Sequence, residues 1–262
     1  MTIIKVLNRQ RKPLVCRLDF PKTQAKGAVV VVHGFKGSAA QVHISAIAQS
    51  ICDAGFITLR PDLTCDPGES YLPFSEMTYA RELSDLGDIT QNFSNMDKVK
   101  GLPIGICGHS LGGMLAAEIA ANREEVKALV TLSAVFDWKF VIENIFMKPY
   151  KEAMRDFNEK GWSYVWSKSL ERRLKVGRAF YEDIAGRTAD NFAQKIKCPT
   201  LVVSSGKDES VVQDHAEKYL KNIGSMVKKM VIIEGSDHNY SQGKWLDTVC
   251  GLTAGWFAGH LQ

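Results

Sequence analysis

The sequence predicts an α/β fold: a mostly parallel, doubly wound sheet of about eight strands with helices on both faces. Three observations lead there. Short β-branched runs such as AVVVV (28–32) and TLVVSS (200–205) lack the polar alternation of half-exposed strands, as expected of strands buried on both faces. Stretches with helix-like spacing or composition separate these runs. One long insertion, residues 136–195, interrupts the alternation and is expected to form a helical cap or lid on a single domain spanning 1–262.

TIIKVL and PLVCRLDF open the chain as two strands, joined as an antiparallel hairpin around Asn8 to Lys12. AVVVV is the third strand. A helix over about 39–54 follows, with Ile44, Ile47, Ala48 and Ile51 on one face. FITLR (56–60) is the next strand, and a loop punctuated by Pro61, Pro67, Gly68 and Pro73 leads to a helix near 77–95. PIGIC (103–107) stops abruptly at GHSLGG, and MLAAEIAAN continues as a helix. ALVTLSAV (128–135), TLVVSS and KMVIIEG (229–235) complete the strands. The insertion holds half of the chain's aromatic residues, and its 12 basic against 9 acidic side chains make it mildly positive.

Composition narrows the class. At 262 residues, with 45% hydrophobic and 24% charged residues, the chain can bury a substantial core. The formal charge of +4 is mild and its Lys and Arg residues are scattered, which argues against a nucleic-acid partner. No apolar run approaches the roughly 18 residues of a membrane helix, and the N-terminus carries no signal-peptide apolar segment. A cytoplasmic protein without a membrane partner is expected. Cysteines 16, 52, 65, 107, 198 and 250 are dispersed without metal-ligand pairs, so neither a metal site nor a disulfide framework is expected.

The chemistry concentrates at Gly108-His109-Ser110-Leu111-Gly112-Gly113. A serine on a sharp turn between a buried strand and a helix is held at the edge of the sheet. Glycines flank it because backbones approach closely there. The helix N-terminus behind it supplies free N–H groups, Leu111 first, beside any oxyanion that forms. A serine hydroxyl needs a base to become a nucleophile. His33, His43, His109, His215 and His260 lie in strands, helices, on the turn itself or near the terminus. His238 alone sits in a loop, Gly-Ser-Asp-His-Asn, directly after the last strand. The base needs a carboxylate to hold its tautomer. Asp208, in the turn GKDES after TLVVSS, is the first choice, with Asp137 and Asp237 as competitors. The order Ser110, Asp208, His238 is the nucleophile–acid–base order that accompanies a G-x-S-x-G turn.

The segments HGFKG, RPDLTCDPGES, GHSLGG, GKDESV and GSDHNYS together resemble the α/β-hydrolase superfamily over nearly the whole chain, least in 136–195. The order HGFKG, GES, EMT, GHS and EGSDH is similar to the small intracellular carboxylesterases of the cinnamoyl and feruloyl esterase type. The resemblance implies a cofactor-free serine esterase acting on a small-molecule ester with a short or aryl acyl group. It also implies a second oxyanion donor in His33-Gly34-Phe35-Lys36-Gly37, the N–H of Phe35, to act with that of Leu111. Where many relatives carry G-x-G-x-S, this chain has Asp66-Pro67-Gly68-Glu69-Ser70, which is expected to alter a wall near the site. Trp162, Tyr164, Trp166, Phe180 and Tyr181 are candidates for an apolar pocket in the insertion. An acyl-CoA thioesterase, a serine aminopeptidase using Glu143, Glu152 or Glu182 to hold an ammonium, and a non-catalytic small-molecule receptor remain open alternatives. A homodimer is compatible with the sequence.

Overall fold

The computed structural model describes residues 1–65, 67–145, 149–168 and 170–261. The elements run, in order, β1 (Thr2–Leu7), β2 (Pro13–Asp19), β3 (Gly27–Val32), α1 (Val42–Asp53), β4 (Phe56–Pro61), α2 (Tyr79–Ser94), β5 (Ile104–His109), α3 (Leu111–Asn122) and β6 (Val126–Leu132). The insertion follows as α4 (Trp138–Asn144), α5 (Tyr150–Lys160), β7 (Trp162–Ser167), β8 (Arg172–Gly177) and α6 (Arg178–Ile184). The chain ends with β9 (Thr200–Ser205), α7 (Asp214–Asn222), β10 (Lys228–Ile233) and α8 (Gly243–His260).

Eight strands form one sheet in the order β1-β2-β4-β3-β5-β6-β9-β10. β1 and β2 pair antiparallel, as does β2 with β4, and every later pair is parallel. This is the α/β-hydrolase fold that the sequence predicts. Every residue of β3, β4, β5 and β9 is buried, which explains their unbroken apolar or small-residue runs. α1 and α8 pack together on one face, where Ile44, Ile47, Ile51, Val249 and Phe257 meet Val29, Val31 and Cys107. The larger core on the other face joins α2, α3 and α7 with the insertion. Thr78 caps α2 by accepting from the Arg81 N–H at 3.2 Å.

The insertion carries the expected helices and also an antiparallel hairpin, β7–β8, that a helical reading does not contain. Its cause is visible in WSYVWS. Ser163, Val165 and Ser167 are buried, while Trp162, Tyr164 and Trp166 lie half-buried or exposed on the other side. That alternation is the strand period of two. Gly177 ends the hairpin where a Cβ would lie 2.5 Å from the Ser75 carbonyl oxygen.

Candidate active site

β5 delivers the chain to Ser110, which adopts φ 56° and ψ −119°. A non-glycine residue there is strained, so its surroundings must hold it. They do so through the main chain: Ser110 N–H donates to the Leu132 carbonyl at 2.9 Å, and the Ser110 carbonyl accepts from Gly113 at 3.0 Å and Val135 at 3.2 Å. The neighbouring glycines are steric necessities. A Cβ on Gly108 would lie 2.1 Å from the Gly112 oxygen, and one on Gly112 would lie 2.2 Å from the His33 oxygen.

The loop after β3 lies against this turn, since a Cβ on Gly34 would come within 2.9 Å of the Ser110 Cβ. His33 fixes the loop. Its Nε2 accepts from the Leu63 N–H at 3.1 Å, which leaves the proton on Nδ1 to donate to the Gly34 carbonyl at 2.9 Å. Burial holds this imidazole below its ordinary pKa, consistent with a neutral ring. Asp62, fully buried, accepts from Ala39 N–H at 2.7 Å and from the Arg17 guanidinium at 2.9 Å, joining the same loop to β2. Among the described residues, the N–H groups of Phe35 and Leu111 donate to no protein acceptor. Both therefore retain the capacity to bind an anionic oxygen.

Asp208 and His238 come together after β9 and β10. His238 Nδ1 donates to Asp208 Oδ2 at 2.7 Å, which directs the Nε2 lone pair away from the carboxylate. The other Asp208 oxygen accepts from the N–H groups of Ser210 at 2.9 Å and Val211 at 2.8 Å. Three donors thus orient a carboxylate whose side chain is inaccessible to solvent. His238 and Ser110 line one cavity of about 1030 Å³. The Ser110 hydroxyl has no hydrogen-bond partner among the described residues. Once the Ser110 hydroxyl turns within hydrogen-bond reach of His238 Nε2, such a set can move a proton from serine to histidine while Asp208 balances the resulting charge.

The competitors are occupied elsewhere. Asp137 accepts from Lys218 Nζ at 2.9 Å, and Asp237 accepts from the N–H groups of Asn239 and Ser241. His215 Nδ1 accepts from the Phe136 N–H, and His260 stacks on Trp256. His43 lies edge-on to His109, whose ring in turn lies 4.6 Å from that of His238.

Of the aromatic candidates in the insertion, Trp166 lines the cavity. Phe180 instead stacks on Phe35 with centroids 5.0 Å apart, Trp162 packs on Tyr164, and Tyr181 packs on Tyr150 and Phe157. Lys36, from the HGFKG segment, also lines the cavity, as do Trp138, Trp245, Gln41 and Lys168, which no motif marks in the sequence. Glu143, Glu152 and Glu182 are not part of the lining, and Glu182 pairs with Arg178. In the 66–70 loop, Asp66 lies outside the described residues. The described remainder forms a strut rather than a cavity wall. Ser70 Oγ accepts from Val15 N–H and donates to the Asp62 carbonyl, while Glu69 accepts from Arg17. Among the described residues, no group of three His, Cys, Asp or Glu side chains is placed to hold a metal ion, and no helix is long and apolar enough to cross a membrane.

Residues 29–249 match the model of the alpha/beta hydrolase family. Among solved structures, the chain is similar to Est1E from Butyrivibrio proteoclasticus with ferulic acid bound, at TM-score 0.80 and 24% identity over 98% of both chains. It is also similar to the esterase domain of a Rhodothermus marinus protein, at TM-score 0.73 and 20% identity over 100% of both chains. Among curated proteins, it is 20% identical to an uncharacterized 31.7 kDa protein of the traX-finO intergenic region of Escherichia coli, over 89% of this chain and 91% of that one.

Proposed function

This chain belongs to the alpha/beta hydrolase family, and on that premise we propose that it is a serine esterase that cleaves carboxylic esters through an acyl-enzyme on Ser110. The observation that carries the reading is the Asp208–His238 hydrogen bond of 2.7 Å, opening on the cavity that Ser110 also lines. A carboxylate fixed by three donors has no evident purpose on a surface loop. It has one behind an imidazole that must become transiently positive.

In this reading His238 Nε2 takes the Ser110 proton as Oγ attacks the ester carbonyl. The tetrahedral oxyanion rests on the N–H groups of Phe35 and Leu111, each worth on the order of 3 kcal/mol in the barrier at comparable sites. His238 then protonates the departing alcohol, and water repeats the sequence to release the acid. Trp138 and Trp166 favour a flat, apolar acyl group, because aromatic walls bury such groups well. The relative bound to ferulic acid makes hydroxycinnamoyl esters the first aryl substrates to try.

The test pairs labelling with turnover. A fluorophosphonate should modify Ser110 in the folded protein and leave Ser110→Ala unmodified. Hydrolysis of p-nitrophenyl acetate should fall by about 10⁴-fold or more in Ser110→Ala and in His238→Ala. An unlabelled, inactive wild type would instead favour a small-molecule receptor. Aliphatic esters, methyl ferulate, an acyl-CoA and an aminoacyl amide, compared on the active protein, rank the acyl chemistry.

A further inference from the structure

We propose that the substrate of this site carries an anionic group, carboxylate or phosphate, held between Lys36 and Lys168. The proposal deepens the esterase reading and rests on it. Lys36 follows Phe35 in the loop beside Ser110, and Lys168 follows β7 in the insertion. Both line the cavity that contains Ser110 and His238. Neither lysine has a carboxylate partner among the described residues, although lysines elsewhere in the chain, such as Lys160 and Lys218, are paired.

Position makes this arrangement more than two surface charges. Lys36 is half-buried and has φ 60°, a backbone conformation that costs a lysine more than a glycine or asparagine. The turn is fixed from below, where Gly37 N–H donates to the Gly34 carbonyl at 3.0 Å. The Lys36 ammonium lies 5.6 Å from the Phe35 ring centroid, and that ring is held between Phe74 and Phe180. Its pKa is depressed first by burial and second by Lys168, and no acidic group counters either effect. Two cations that repel each other across a cavity gain from an anion placed between them.

The acidic residues of the lining, Glu209, Glu234 and Asp237, belong to the loops after β9 and β10, where Lys207 and, in the first turn of α8, Lys244 accompany them. That end is mixed in sign. The loop after β3 and the insertion contribute Lys36 and Lys168 and, among the described residues, no acidic side chain to the lining, and this asymmetry would orient an ester with one charged and one neutral half.

Two matched pairs of esters test the proposal and separate its sources. The mono-p-nitrophenyl ester of glutaric acid against p-nitrophenyl valerate places the charge on the acyl side. 4-Acetoxyphenyl phosphate against 4-methoxyphenyl acetate places it on the alcohol side. In wild type, kcat/KM should favour the anionic member of at least one pair by about tenfold at low salt, and the preference should shrink at about 0.5 M NaCl. It should fall to about threefold or less in Lys36→Met or in Lys168→Met. The exposed position of Lys168 keeps the test open if Lys36→Met does not fold. No preference in either pair, or a preference unchanged in the folded variants, would overturn the proposal. Turnover of the neutral esters reports the esterase reading separately. If no ester is turned over, quenching of the cavity tryptophans by glutarate and by phenyl phosphate, compared between wild type and Lys168→Met, decides the point: quenching lost in the variant supports the site, and its absence from wild type or persistence in the variant overturns it.

Discussion

The His109 imidazole donates from Nε2 to the backbone carbonyl of His238 at 2.7 Å. The carbonyl can only accept, so the His109 proton resides on Nε2. Burial and the neighbouring His238 and His43 rings push the His109 pKa well down, which keeps the ring neutral. The residue beside Ser110 therefore tethers the loop that carries the proposed base.

His109→Phe keeps the ring and removes the tether. We expect kcat on p-nitrophenyl acetate to fall by about 10- to 100-fold with little change in KM, because a misplaced base loses orientation rather than binding. Stability should fall by about 1 kcal/mol, measured by urea unfolding. His109→Gln, which retains a donor, should recover part of the loss in kcat.

Asp208 and Asp137 make opposite predictions. Asp208→Asn should lower kcat by about 10⁴-fold, since the amide no longer accepts from His238 with a negative charge. Asp137→Asn should change kcat by less than about threefold, because its carboxylate serves Lys218. Steady-state kinetics on the two purified variants checks both, and a reversed order would move the acid to Asp137, at the start of α4.

The glycines divide by what surrounds them. Gly108→Ala should yield no soluble folded protein, since its Cβ would collide with main chain at 2.1 Å. Gly255, on the exposed side of α8, has nothing within 4 Å of an added Cβ. Gly255→Ala should stabilise the protein by about 0.5–1 kcal/mol, seen as a raised Tm, because alanine is the better helix former.

Glu82, buried in α2, has its carboxyl pKa pushed up to about 8 by burial and then by Asp85. In the unfolded chain it ionises near its ordinary value of 4.5. Between those values the folded state binds the extra proton, so stability falls as pH rises and levels off above the folded pKa. Glu82→Gln removes this loss. From about pH 5 to pH 8 the variant should lose less stability than wild type, by on the order of 3 kcal/mol, read from denaturant unfolding at each pH.

The eight main strands were legible because each is a short apolar run bounded by turn residues, and β3 and β9 are buried along their whole length. The Ser110 turn was legible because close main-chain approach permits only glycine at its neighbours. Sequence order brought Asp208 and His238 to one sheet edge, and their hydrogen bond joins them there. β7–β8 was missed although its alternation is present in WSYVWS. Dense aromatic and charged residues around it mask an alternation that runs for only six residues. The tether from His109 and the pairing of Arg17 with Asp62 depend on contacts 129 and 45 residues apart in sequence, and no local pattern marks them.

Ser110 keeps a positive φ at the end of β5, and with Ser110 as the proposed nucleophile this creates a conflict between durability and turnover. A glycine there would relieve about 1 kcal/mol of backbone strain while removing the hydroxyl. A selection that rewarded thermal persistence alone would therefore favour an inert protein. A serine retained at this turn marks the place where the chain gives up robustness for reactivity.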